Sequence, residues 1–206
     1  MQANNPIHAG RVDWSGENPG IYLKEDPQGP WTGLMCFYRV VYSPHGMGSG
    51  VVVLDEPNIE KGRPDVDNFC ICDNEPLAKY LVENFFSKFA AFKVSAGIKA
   101  LSYLPLTSVQ REGDTRSTYS EVVSSNELEV RMTWEGLSDS YAVNMPADLG
   151  PTKQHDMYSF FVDASNAQVS INGRPLRGKL TSRNCGGTTK SSAFLAFSET
   201  WVKTTD

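Results

Sequence analysis

Apolar and polar residues alternate along much of this chain, most clearly between Leu128 and Trp134. In that stretch every second residue is apolar, and each residue between is charged or hydroxylated. A period of two buries one side of a strand and leaves the other in water, which is typical of an antiparallel sheet with one covered face. The pattern therefore predicts a mainly β protein.

Further strands and turns follow from the same kind of pattern. The run Leu34–Tyr42 is almost entirely apolar, aromatic or β-branched, which indicates a strand covered on both faces. The glycine-rich stretch 44–50 then predicts a hairpin with a flexible tip. Asn172-Gly173 predicts a tight hairpin because both residues accept a positive φ, and Pro175 places the following strand at a sheet edge or a bulge.

One amphipathic helix is predicted near residues 74–93. Asp73 or Asn74 can cap its start, and Pro76 suits its first turn. Its apolar positions recur at intervals of three or four residues: Leu77, Leu81, Phe85, Phe89 and Phe92. This wide apolar stripe predicts a heavily packed helix.

We count eight or nine strands, and predict an antiparallel barrel-like or strongly curved sheet with the long helix as a lid or plug. A two-sheet sandwich and a curved sheet wrapped around the helix are the alternatives. Residues 1–30 are expected to form an irregular N-terminal arm, and residues 31–206 a single β-rich domain. The likeness to lipocalin-like barrels is an analogy of pattern alone.

Composition narrows the classes of function. The net charge is −5, and the lysines and arginines are scattered, which argues against a nucleic-acid partner. The sequence has neither a signal-like start nor a long apolar run, so we expect a cytoplasmic protein that does not span a membrane. The four cysteines are read as thiols, with Cys70 and Cys72 as small core residues rather than metal ligands, and no cofactor is expected.

Arg39 is the residue hardest to explain by packing alone, because its strand offers no obviously solvated face. Either it forms an internal ion pair or lies at a strand edge, or it binds the acid group of a ligand inside the barrel. The predicted ligand-binding residues are Arg39, Phe37, Tyr38, Tyr103, Trp134, Phe160 and Trp201. The carboxylates of Glu121, Glu127, Glu129 and Glu135 are expected on the solvated outer face.

Three residues are weak candidates for catalysis. His45 lies in the glycine-rich hairpin tip, and His155 precedes a strand and is followed by Asp156. Lys99 lies at a predicted strand start, where burial could make it a base or a nucleophile. Ordinary structural roles are the alternative for all three.

The primary functional hypothesis is binding of a small apolar, possibly acidic, organic ligand in the barrel interior. A lyase, isomerase or hydrolase that uses the same cavity is the second hypothesis. A structural or interaction module with a filled core is the third. A homodimer is a further expectation, because edge strands invite pairing.

Overall fold

The computed structural model of the chain describes residues 10–60 and 68–204, and within them the protein is mainly β. The strands are β1 (Arg11–Glu17), β2 (Gly20–Lys24), β3 (Gly33–Tyr42), β4 (Gly48–Leu54), β5 (Phe69–Cys72), β6 (Ser102–Pro105), β7 (Ser108–Gly113), β8 (Thr118–Ser124), β9 (Glu129–Leu137), β10 (Tyr141–Met145), β11 (His155–Ile171), β12 (Arg174–Pro175), β13 (Lys179–Leu180), β14 (Ser182–Cys185), β15 (Thr188–Ser191), β16 (Ala193–Ala196) and β17 (Glu199–Lys203). The helices are α1 (Glu75–Asn84) and α2 (Ala90–Lys93), with 3₁₀ turns at Phe86–Lys88 and Ala96–Lys99.

A large curved sheet forms the centre of the fold. β1 and β2 together act as one interrupted strand, since both pair with β3 on one side. On the other side β1 pairs with β17 and β2 pairs with β16. β4, β5 and β6 extend the sheet beyond β3, and β11 and β10 extend it beyond β16 and β17. All of these pairings are antiparallel except β5 with β6.

A second layer of strands is continuous with the large sheet through β11. The first half of β11 pairs with β10, β16 and β17, whereas its second half, from Ala164, pairs with β9. β9 pairs with β8, and β8 with β7. The chain also crosses between layers at Leu106 and Thr107, whose N–H groups donate to Cys72 and Ser124. The described strands form a large curved sheet, but the strand pairing does not close it into a barrel.

Two clusters of buried side chains lie on opposite faces of the large sheet. The interior cluster lies between the layers and includes Phe37, Val130, Met132 and Trp134. The helix-side cluster lies on the other face, where α1, α2 and the turn between them pack against the sheet and bury Phe85, Phe86 and Phe92. The large sheet is thus covered on both faces, which explains the nearly continuous apolar run of β3.

The long predicted helix is wrong in its length. α1 begins with the expected cap, because the Asn74 side chain accepts the N–H of Leu77, but it ends at Asn84. A 3₁₀ turn follows, and Phe89 has an extended backbone before α2. A single straight helix would spread its aromatic side chains over a wide arc, whereas the breaks let Phe85, Phe86 and Phe92 all reach full burial.

The predicted irregular arm also differs from the structure. Residues 11–17 and 20–24 form β1 and β2 in the middle of the large sheet, and residues 1–9 lie outside the described part. A β-bulge in β1 and the break at Asn18-Pro19 disturb the alternation that would have marked this segment as a strand. The structure also has more strands than predicted, because it contains the two-residue strands β12 and β13 and a separate hairpin of β14 and β15.

Two other local predictions, the burial pattern of β9 and the hairpin at Asn172-Gly173, are confirmed. Val130, Met132 and Trp134 of β9 are fully buried, and the residues between them are not. Asn172 and Gly173 have φ values of 48° and 77° at a hairpin between β11 and β12. No helix among residues 10–60 and 68–204 is long and apolar enough to cross a membrane.

Candidate functional site

Arg39 lies in an ion-pair network and not in an empty cavity. Its guanidinium donates to Glu17, and to both carboxylate oxygens of Glu121 at 3.1 and 3.2 Å. Arg111 reaches the same two acids, from Nε to Glu121 at 3.2 Å and from Nη2 to Glu17 at 2.9 Å. The placement of Glu121 on the outer face was therefore wrong, because its carboxylate is fully buried. These contacts match the internal ion pair rather than the ligand anchor.

The structure does not bring the predicted ligand-binding residues together. Phe37 and Trp134 belong to the interior cluster, whereas Tyr38 and Trp201 belong to the helix-side cluster. Tyr103 is half-buried at the edge of the helix-side cluster. In the described residues, the space between the layers is occupied by the twenty side chains of the interior cluster. Phe160 differs from the buried residues of this predicted set, because 36% of its surface is exposed to solvent.

Phe160 lies in an open cleft at the end of the space between the two layers. We call it the mouth cleft; it has a volume of about 530 Å³ and is lined by Thr115, Arg116, Leu137, Ser138, Asp139, Ser140, Phe160, Val162 and Phe197. Val162 belongs to the interior cluster, and Leu137 and Phe197 pack against it. The floor of the cleft is therefore the uncovered end of the interior core.

The rim of the mouth cleft is held in place by backbone contacts. The loop after β9 is fixed to β11, because the Ser138 N–H donates to Asp163 O at 2.9 Å and the Asp163 N–H donates back to Ser138 Oγ at 3.2 Å. Across the cleft, Asp114 Oδ1 accepts the N–H groups of Arg116 and Ser117 at 2.7 and 2.8 Å. Such turns order the backbone that carries Arg116.

Aromatic rings connect the cleft to the core. Phe160 and Phe197 lie 5.8 Å apart, and Phe197 meets the ring of Tyr119 edge-on at 5.6 Å. Burial raises the pKa of Tyr119 above its ordinary value, and its hydrogen bond to Glu121 raises it further. Tyr119 therefore remains a neutral donor behind the aromatic floor.

The charges at the rim have opposite signs. Arg116 supplies the positive charge among the lining residues and Asp139 the negative one, and Thr115, Ser138 and Ser140 add hydroxyl groups. An apolar floor under a few polar groups is the usual composition of a small-molecule site. The arrangement suits a ligand with a flat apolar body and a charged end.

The fold separates Lys99 from the other two weak catalytic candidates. Lys99 is exposed at the end of a 3₁₀ turn, the environment of an ordinary surface lysine. His155 is buried and contacts Asp13, with 2.9 Å between Nε2 and Oδ2. The exposed ring of His45 stacks on Tyr80 at 3.6 Å, and the Tyr80 hydroxyl donates to Asp13. Both histidines therefore border one polar cluster, and Asp156 is not the carboxylate bound to His155.

The cysteines are all buried free thiols. Cys70 and Cys72 lie on the helix-side face of β5, as expected for small core residues. The hydrogen bond to Cys72, together with burial, raises the pKa of Cys70, and the same hydrogen bond lowers the pKa of Cys72. No group of three or more potential metal ligands occurs within the portion of the chain that the structure describes.

The sequence analysis missed Arg116, Asp139 and Phe197 as site residues. Arg116 and Asp139 lie in polar loops that resemble ordinary turns, and Phe197 shares the parity of the buried residues around it. The sequence did contain one signal for Phe160. It occupies an apolar position of β11 just before this strand passes from the large sheet into the second layer. Only the structure shows that this second layer stops short of Phe160.

The chain was compared with protein families, curated proteins and solved structures. No family model matches the chain, and neither a curated protein nor a solved structure matches it significantly.

Proposed function

We propose that this protein binds a small, largely apolar organic acid in the mouth cleft. The supporting observation is an open space of about 530 Å³ in which the exposed ring of Phe160 and the partly buried ring of Phe197 face a rim that carries Arg116. Ligand sites typically measure about 300–1,000 Å³ and often occur at the mouths of β-barrels. In this proposal Phe160 keeps its predicted role, and Arg116 takes the role predicted for Arg39.

Each lining group makes a different contact with the ligand in this proposal. Phe160 and Phe197 offer ring faces and edges to the apolar body of the ligand, whose burial supplies most of the affinity. Arg116 donates two hydrogen bonds to the carboxylate, which selects an acid over a neutral analogue. Asp139 opposes the same carboxylate, so the cleft favours a ligand whose acid group lies on the Arg116 side of the rim.

The experiment is a calorimetric titration with 2-naphthoate and with its neutral analogue 2-naphthalenemethanol. We expect saturable binding of the acid and roughly tenfold weaker binding of the alcohol, because loss of a charge-assisted hydrogen bond costs about 1.5 kcal/mol. Arg116→Gln should abolish the preference for the acid. Phe160→Ala should weaken both ligands, and Asp139→Asn should tighten the acid alone.

Matched controls use residues outside the cleft. Tyr42→Ala removes another exposed aromatic ring, and Lys179→Gln removes another exposed positive charge. Both variants should bind 2-naphthoate as the wild type does. If Phe160→Ala and Tyr42→Ala have equal effects, or if 2-naphthoate does not saturate, the proposal fails.

A further inference from the structure

A second constellation lies on the helix-side face of the sheet, apart from the mouth cleft. His155 is central to it, with Nε2 at 2.9 Å from Asp13 Oδ2 and Nδ1 at 3.1 Å from Thr152 Oγ1. The Tyr80 hydroxyl is 2.7 Å from each Asp13 oxygen. Asp13 and His155 are buried, whereas Thr152, Tyr80 and His45 reach the surface.

Asp13 reaches this cluster because β1 contains a β-bulge. Val12 pairs with Val202 and Trp14 with Trp201, so Asp13 is the additional residue of β1. Trp14 packs in the helix-side cluster, and Asp13 meets Tyr80 of α1 on the same face. A regular strand would send two successive side chains to opposite faces. Bulges are frequent next to active sites because they redirect a side chain in this way.

Thr152 is positioned by an unusual backbone. Lys153, the next residue, has a φ of 61°, a left-handed conformation that is costly for a residue with a side chain. The ammonium group of Lys153 donates to Asp148 O at 2.7 Å, which stabilises the turn. The Gln154 N–H approaches Thr152 Oγ1 at 3.4 Å from the other side. The resulting turn brings the hydroxyl to the ring of His155.

The partners of His155 determine which nitrogen of the neutral ring carries the proton. Burial by itself raises the pKa of Asp13, but the hydrogen bonds from His155 and Tyr80 outweigh it and leave that pKa below its ordinary value. Asp13 is therefore an ionised acceptor, and the proton of neutral His155 lies on Nε2. Nδ1 is left as the acceptor for the Thr152 hydroxyl.

The geometry points to a nucleophile, base and orienting acid in the order Thr152, His155 and Asp13, and we propose that this constellation hydrolyses carboxylic esters. A hydroxyl within hydrogen-bonding reach of a base, itself oriented by a third group, is the common signature of nucleophilic catalysis. The rings of Phe85 and Trp201, at 4.9 and 6.3 Å from that of His155, pack against the imidazole and help to fix its orientation.

The reaction balances with water as the second substrate. Thr152 Oγ bonds to the ester carbonyl carbon as its proton moves to His155 Nδ1, and the imidazolium is stabilised by Asp13. The bond from carbon to the alcohol oxygen then breaks, and the alcohol leaves with the proton from Nδ1. Water attacks the acylated Thr152, again through His155, which releases the acid and restores the hydroxyl.

The substrate class follows from the accessible neighbours. The turn from Pro146 to Gly150 is bound to the segment around Thr152, because the Ala147 N–H donates to Asp156 at 2.8 Å. Its Leu149 is largely exposed and offers an apolar contact. We therefore expect esters with a short, uncharged acyl chain as substrates.

The experiment measures hydrolysis of p-nitrophenyl butyrate by the full chain. Thr152→Val keeps the shape of the side chain but removes the hydroxyl, so we expect the rate to fall by roughly 100-fold or more. Thr152→Ser keeps a hydroxyl and should retain the activity. His155→Gln should lose it, and Thr189→Val, at an exposed site, should leave it unchanged.

A second readout is independent of the rate. Acid-quenched wild-type protein should carry a butyryl group on the peptide with Thr152, and circular dichroism shows whether each variant is folded. An unchanged rate in folded Thr152→Val, loss of activity in folded Thr152→Ser, or an acyl group on another residue would overturn the proposal. Wild-type hydrolysis no faster than that of free imidazole at the same concentration would also overturn it.

Discussion

At the scale of single residues, the ion pair between Arg39 and Glu121 accounts for the burial of both charges. Arg39 was anomalous in the sequence because its strand offered no obviously solvated face, whereas Glu121 looked ordinary and was assigned to the outer face, which is wrong. A charge without a partner is costly to bury, so the anomaly of Arg39 correctly indicated an anionic partner. The sequence could not identify that partner, because Glu121 is 82 residues away and lies in the other layer.

Arg39→Ala should therefore destabilise the protein. Glu121 would remain fully buried with Arg111 as its remaining cation, so we expect a loss of about 1–3 kcal/mol in the free energy of unfolding. Urea denaturation measures this loss. Arg131→Ala, which breaks the exposed ion pair with Glu112, is the control and should cost less than about 1 kcal/mol. Equal losses in the two variants would contradict the role of Arg39.

At the scale of elements, two aligned strand breaks are joined by buried polar side chains. The break at Asn18-Pro19 separates β1 from β2, and Glu199 follows the break between β16 and β17. Asn18 Nδ2 donates to Glu199 Oε1 at 2.8 Å, and Trp201 Nε1 donates to the same oxygen at 2.8 Å. Burial raises the pKa of Glu199 to about 7, although these two bonds lower it in part.

Glu199 should make stability depend on pH near neutrality. Its folded pKa lies above that of an unfolded glutamate, so its contribution is fully present below about pH 4.5 and is lost as the pH rises through 7. Urea denaturation between about pH 5 and 8.5 should show the wild type losing on the order of 2–3 kcal/mol relative to Glu199→Gln. Parallel pH profiles for the two proteins would show that Glu199 titrates normally.

Elements with a regular period were the predictable ones. β9 and the Asn172-Gly173 hairpin follow from side-chain alternation and from turn chemistry, which are local properties. β1 and β2 were missed because a bulge and a break interrupt their period. The start of α1 was predictable from Asn74 and Pro76, but its end was not, because the break after Asn84 serves the packing of phenylalanines against the sheet.

At the scale of the whole molecule, the layers explain why the predicted ligand-binding residues do not line one cavity. The alternating pattern shows which side chains are buried, but it cannot show that those of β3 face two different clusters. Phe37 and Tyr38 therefore seemed to belong to one cavity, although the sheet lies between them. The open end of the interior depends on where β9 stops relative to β11, which is a tertiary property.

The central claim is that a small organic acid binds where the interior core reaches the surface. An amide ¹H–¹⁵N NMR titration with 2-naphthoate tests it most directly. The account predicts saturable shifts at Arg116, Ser138, Phe160 and Phe197, with Arg39 and Trp201 unmoved. Saturable shifts centred on Arg39, Trp134 or Trp201, or no saturable shift at the mouth cleft, would contradict it.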